Sequence, residues 1–188
     1  MAGLAGLVLF LILLFGAKLG PFRPVDFLRD PAALHGFNPF HGMVSILGIL
    51  ALACSGTVCL FAARHCRHEA SFLSAAGLFS LVIAADDLFL LHEEVGPHWL
   101  GLPEPAILAA YGLAAVAIAV RFRDRLFGAD PLGLWLALVF LSGSVLSDQF
   151  EVVHGQNGYI LEDGLKFVGL VTWAGFWIGR AGQALGRR

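Results

Sequence analysis

The chain has 188 residues, 58% of them hydrophobic and only 14% charged, with a mean hydropathy of +0.79. Soluble domains are nearer half apolar and a quarter charged, so this composition predicts an all-α integral membrane protein with no room for a second, soluble domain. The net charge of −2 comes without any Lys/Arg cluster of the kind that nucleic acid requires, which excludes a nucleic-acid partner.

About 20 apolar residues cross a ~30 Å hydrocarbon core as a helix. Six stretches qualify, roughly 2–19, 42–63, 70–92, 103–120, 131–152 and 160–179, and predict a bundle of about six transmembrane helices in a single polytopic domain, 1–188. Their length, lack of alternation and richness in Leu, Ala and Gly argue against strands. The first, "MAGLAGLVLFLILLFGAKLG", lacks a basic leader and a small-residue cleavage site, so it reads as a retained span. The long connection to span 2 contains "VDFLRDPAALHGF", which fits a short interfacial helix. Cys54, Cys59 and Cys66 fall in or just after span 2. Their spacing matches neither CxxC nor a zinc pattern, so buried, reduced thiols are expected.

Span 3 ends in "AADDLFLLHEEVGPHW", where Asp86, Asp87, Glu93 and Glu94 stand among His92 and His98. Span 4 opens after Pro103 and Pro105 and span 5 at Pro131, positions where a helix start tolerates proline. Arg64 and Arg67 follow span 2, Arg121, Arg123 and Arg125 follow span 4, and Arg180, Arg187 and Arg188 follow span 6. These ends share one face, which the positive-inside rule assigns to the cytoplasm. Both termini are then expected there, in what would be a bacterial inner (plasma) membrane.

Most carboxylates and five of the seven histidines fall on the opposite, outer half. An acidic surface alone could be solvated loop, but depth argues otherwise for two residues. Only 16 uncharged residues separate Glu69 from Asp86, and 17 separate Asp130 from Asp148. Spans of ~20 residues place both aspartates inside the outer part of the bilayer, where an ionised carboxylate needs a partner. Asp87, Glu93 and Glu94 have no such claim and read as interface charges.

Spans 3 and 5 share a spacing. Ser80, Asp86, His92 and Gly96 recur as Ser142, Asp148, His154 and Gly158, each 62 residues later. The helices that follow carry Glu104 and Glu162 near their starts. Hairpins 3–4 and 5–6 would then form a parallel repeat, with both Asp/His pairs around one cavity. On an unbroken helix, Asp86 and His92 would stand ~9 Å apart along the axis and ~120° apart around it, too far to hold one ion. Asp148, Glu151 and His154 make a tighter face, and Glu151-Val-Val-His154 has the Glu-x-x-His spacing of carboxylate-bridged metal sites.

Carboxylates and imidazoles without cysteine suit a divalent ion such as Zn, Fe or Mn. The expected ligands are Asp86, His92, Asp148, Glu151 and His154, with Glu162 or Glu104 as catalytic base or supporting partner. One or two such ions would make a metal-assisted hydrolase acting on lipid or an amphipathic substrate. The competing account is a hydrogen-bonded polar network, with Lys166 pairing Glu162 one helical turn away. Two other functions stay open: a proton- or cation-coupled transporter using the embedded Asp/His pairs, and a non-catalytic subunit of a membrane complex. "HEEVG" is not a zinc-protease HExxH, because Gly96 replaces the second histidine, and no HxxxH, GxSxG, P-loop or Rossmann glycine pattern occurs.

Overall fold

The computed structural model describes residues 2–19, 23–128, 131–150 and 153–186, and every regular element among them is helical. The chain divides into two compact units, Met1–Met43 and Val44–Arg188.

The first unit holds α1 (Ala2–Leu19), α2 (Pro24–Leu28) and α3 (Pro31–His35). The single interfacial helix expected here is two short helices, and proline is the reason. Pro24 and Pro31 each open a helix, and Pro31 forces Asp30 into an extended conformation (ψ 130°) that ends the preceding turn. Asp26 accepts from the Arg23 backbone N–H at 2.9 Å and pairs with its guanidinium, while the Asp30 carboxylate caps Ala32 N–H at 2.8 Å. Gly36 closes α3 at φ +69°, a left-handed turn that favours glycine.

The second unit contains α4 (Met43–His65), α5 (Ala70–Phe89), a π-helical segment (Leu91–Leu100), α6 (Glu104–Arg121), α7 (Arg123–Phe127), α8 (Leu132–Gln149) and α9 (Gln156–Gly186). Four helices, α4, α5, α6 and α8, are long and apolar enough to cross a membrane. They coincide closely with predicted spans 2 to 5. The sixth predicted span lies inside the 31-residue α9, which dilutes its apolar residues with glycines, Trp173, Trp177 and Arg180. In α1 the described apolar run is Gly6–Gly16.

Helix α9 buries one face at helical spacing: Leu170, Trp173, Ala174, Trp177, Ala181 and Ala184. It meets α4 where the Cys59 thiol faces the Trp177 carbonyl at 3.7 Å and the Cys66 thiol faces the Ala184 carbonyl at 3.3 Å. It meets α5 where Trp173 Nε1 donates to Ser80 Oγ at 2.9 Å. No disulfide forms, and Cys59 and Cys66 are buried as expected, but Cys54 is exposed, because it turns away from the α9 contact. Helices α4 and α5 cross at paired glycines. A Cβ on Gly56 would stand 2.9 Å from the Gly77 carbonyl oxygen, and one on Gly77 2.8 Å from that of Gly56. Small residues let backbones approach this closely where water supplies no drive for association. Helix α6 buries none of its residues and presents Leu113, Val116 and Val120 outward.

At the arginine-rich end, Arg125 of α7 pairs with Glu69 at 3.0 Å and donates to the His68 carbonyl, while Arg180 of α9 donates to the Arg125 carbonyl. These bonds tie α7 and α9 to the start of α5. Most of the second unit's other described carboxylates, with His92, His98 and His154, lie at the opposite helix ends.

Candidate functional site

Helix α5 ends at Phe89, three residues short of the predicted span 70–92. Leu90 adopts φ 51°, ψ 46°, the left-handed region that a branched side chain enters only at a cost. Its N–H closes on the Asp86 carbonyl, and the chain continues in π-helical geometry through Pro97. Such wide turns are uncommon and stand out at functional sites. A Cβ at Gly96 would stand 2.9 Å from the Leu91 carbonyl oxygen of its own segment and would displace the end of the Ile107 side chain of α6.

That break overturns the straight-helix geometry. His92 folds back so that Nδ1 hydrogen-bonds Asp86 Oδ2, although the two residues are six apart. The other Asp86 oxygen accepts from Tyr111 Oη of α6 at 2.7 Å. The Asp86 side chain is only 2% exposed, so both its oxygens are engaged in a buried network. Nothing in the sequence pattern pointed to Tyr111; its one signal was a phenol alone in "LAAYGLAAV". His92 lies beyond α5, in the π segment. The Asp86 hydrogen bond pushes its imidazole above the usual histidine range, with Glu93 adding to this and burial and Lys166 opposing it.

Asp87, read from sequence as an interface charge, is buried. Lys166 of α9 pairs with it at 2.8 Å, rather than with Glu162 on its own helix. The helix end turns both neighbouring aspartates inward, Asp86 toward α6 and Asp87 toward α9. Asp87 Oδ2 is buried with no hydrogen-bond partner, a polar atom that costs free energy where it stands.

The second predicted pair sits apart. Asp148, in the last turn of α8, is exposed and accepts from Gln149 Nε2 at 3.1 Å. Asp148, His154 and Glu162 line one cavity of about 280 Å³ with Ser147 and Tyr159. Neither Asp86 nor His92 lines it. The two halves of the proposed repeat also differ in burial: Ser80 and Asp86 are buried, Ser142 and Asp148 exposed. Glu162 still feels the negative charges of Asp148, Asp163 and Glu93, and the positive charge of Lys166. Glu104 is the first residue of α6, and Glu151 lies outside the described residues. Among the described residues, no three His, Cys, Asp or Glu side chains stand together as ligands of one ion.

The arrangement therefore offers an imidazole held by a buried carboxylate, an ion pair between α5 and α9, and an acid-lined cavity at the α8–α9 turn. No curated protein and no solved structure matches the chain. A family model described as a domain of unknown function, DUF8692, matches residues 1–178, most of the chain, and the protein belongs to that family.

Proposed function

We propose that the carboxylate–histidine end of this membrane protein is a divalent-cation site, and that the bound ion serves hydrolysis of a lipid or another amphipathic substrate at the membrane surface. The observation that supports this best is the cavity of about 280 Å³ that gathers Asp148, His154 and Glu162, three residues singled out for metal chemistry. Charge supports it too. Asp86, Asp87, Glu93, Glu94, Asp148, Glu162 and Asp163 outnumber Lys166, His92, His98 and His154 of the same end, and crowded carboxylates repel unless protonated or joined by a cation. In this reading Asp148 and His154 hold the ion with Glu151, Glu162 is the base that takes a proton from water, and Glu104 supports it. The termini face the cytoplasm, α1 and α9 complete six spans, and the two Asp/His hairpins descend from a parallel repeat.

A transporter that couples to protons or cations is the second reading. The buried Asp86–His92–Tyr111 and Asp87–Lys166 contacts favour it, because titratable pairs at the end of a span are the usual furniture of proton relays.

Metal analysis of the purified protein decides between them. Stoichiometric Zn, Fe or Mn is expected, with chelation lowering the melting temperature in wild type and not in a His92→Ala/His154→Ala variant. An ion present at ~100 times its dissociation constant stabilises by about 2.7 kcal/mol, enough to read in melting. Protein that carries no metal and whose melting ignores both chelator and added Zn²⁺ or Mn²⁺ would favour the transporter.

A further inference from the structure

The arginine-rich end spends its charges unevenly. Arg125 is paired with Glu69 at 3.0 Å, and Arg123 lies 3.4 Å from its neighbour Asp124. Arg64, Arg67, Arg121 and Arg180 have no carboxylate partner among the described residues. Two of these four are held in place. The Arg121 guanidinium lies 5.1 Å from the centre of the Phe122 ring, and the Arg180 guanidinium 5.8 Å from that of Phe72. The two rings are themselves in contact, tilted with centres 5.4 Å apart. One aromatic pair, from α5 and the α6–α7 junction, therefore carries two unneutralised guanidinium groups, and cation–π attraction limits how far they stray.

Beside that pair a notch of about 20 Å³ opens between the start of α5 and α9, lined by His68, Glu69 and Phe72 and by Arg180 and Gln183. It has room for one water-sized group. An anion therefore lodges a single oxygen there and keeps the rest of itself at the surface. Arg125 answers the Glu69 charge, which leaves Arg180 as the uncompensated charge of the lining. Phe61, Val120 and Phe127 are exposed close by in the chain, so apolar surface adjoins the charges. In helices long and apolar enough to cross a bilayer, that boundary is where lipid phosphates lie. A guanidinium matches phosphate with two parallel N–H donors, and the adjoining apolar surface favours an anion that carries acyl chains.

We infer that Arg121 and Arg180, held on the Phe122–Phe72 pair, bind the headgroup phosphate of an anionic phospholipid, with Arg64 and Arg67 adding longer-range attraction. A zwitterionic lipid brings its phosphate with a compensating ammonium, whereas phosphatidylglycerol brings net negative charge to the four unpaired guanidinium groups. A lipid held by both arginines ties the end of α6, a helix that buries none of its residues, to α9. This rests on the apolar helices crossing a bilayer and is independent of the divalent-cation reading above.

The test follows the melting of full-length protein in a non-ionic detergent, titrated with phosphatidylglycerol or with phosphatidylcholine of the same acyl chains. Phosphatidylglycerol should raise the melting temperature saturably, phosphatidylcholine should not, and added salt should weaken the effect. Arg121→Gln, an exposed position, should weaken phosphatidylglycerol binding about 10-fold, the size expected for a lost charged hydrogen bond. Arg180→Gln should do the same. Arg180 also holds the Arg125 carbonyl, so Arg121→Gln decides if that variant fails to fold. Arg64→Gln should cost no more than about five-fold, the worth of one arginine near an anionic surface. Glu94→Gln, at the opposite end, should leave binding unchanged. Equal stabilisation by the two lipids overturns the inference, and so does a phosphatidylglycerol effect that Arg121→Gln leaves intact. Equal losses in Arg121→Gln and Arg64→Gln would reveal a diffuse field instead of a site and overturn it too. If inorganic phosphate alone gives the same shift, the assignment to lipid falls.

Discussion

Lys166 Nζ of α9 stands 2.8 Å from Asp87 Oδ1 of α5, and the Asp87 side chain is only 5% exposed. Two helices far apart in sequence are thereby joined by opposite charges at the end of an apolar bundle. Removing one partner strands the other charge, which costs more than the intact pair is worth. Lys166→Met should therefore lower stability by about 2–4 kcal/mol, read as a drop in melting temperature. Asp87→Asn should cost less, because Lys166 is 30% exposed and can reach water. The double variant should recover much of the Lys166→Met loss. Equal, additive losses would show that the pair contributes nothing beyond its separate side chains.

The His92–Asp86 contact makes stability depend on pH in a stated direction. Tyr111 from α6, Asp87 from α5, Lys166 from α9 and its own neighbour Glu93 surround the pair. His92 has its pKa raised in the fold, so the contact stabilises fully below the unfolded value of about 6.5 and is lost as pH rises through the raised value. In metal-free protein the melting temperature should fall across that window. His92→Gln should flatten the fall; an equally steep profile in that variant would sink the assignment. Metal affinity should run the other way and grow with pH, since a ligating imidazole must be neutral.

Gly56 and Gly77 make a packing prediction. Alanine at an ordinary buried helix position would be worth about 1 kcal/mol in its favour over glycine. Here each added Cβ would meet the facing carbonyl oxygen under 3.0 Å away, and that atom is backbone. Forcing α4 and α5 apart should outweigh the propensity gain, with Gly56→Ala and Gly77→Ala each losing about 1–3 kcal/mol. A stabilised alanine variant would mean that the crossing is looser than this.

Topology can be read by cysteine labelling in a cysteine-free background. A cysteine at Pro97, in the π segment, should react with impermeant reagent from outside, and one at Arg67 only from the cytoplasm. The reverse pattern would invert the protein in the membrane while leaving its fold intact.

Apolar length was legible from the residues alone. Spans 42–63, 70–92, 103–120 and 131–152 became α4, α5, α6 and α8 within a few residues, because a bilayer demands about 20 apolar residues whatever the helix packs against. The rarity of Asp and His in such spans also marked Asp86, His92, Asp148 and His154 before any fold was known. Partnership was beyond it. One left-handed residue, Leu90, ends α5 and brings His92 back onto Asp86, and no periodicity announces a break at a leucine. Tyr111 and Lys166 find the two aspartates from helices 25 and 79 positions away, contacts set by how α6 and α9 lie against α5. Helix spacing reports only which residues share a face of one element. Which charges meet across elements is decided when the elements pack, because there each buried charge must find its partner or be left without one.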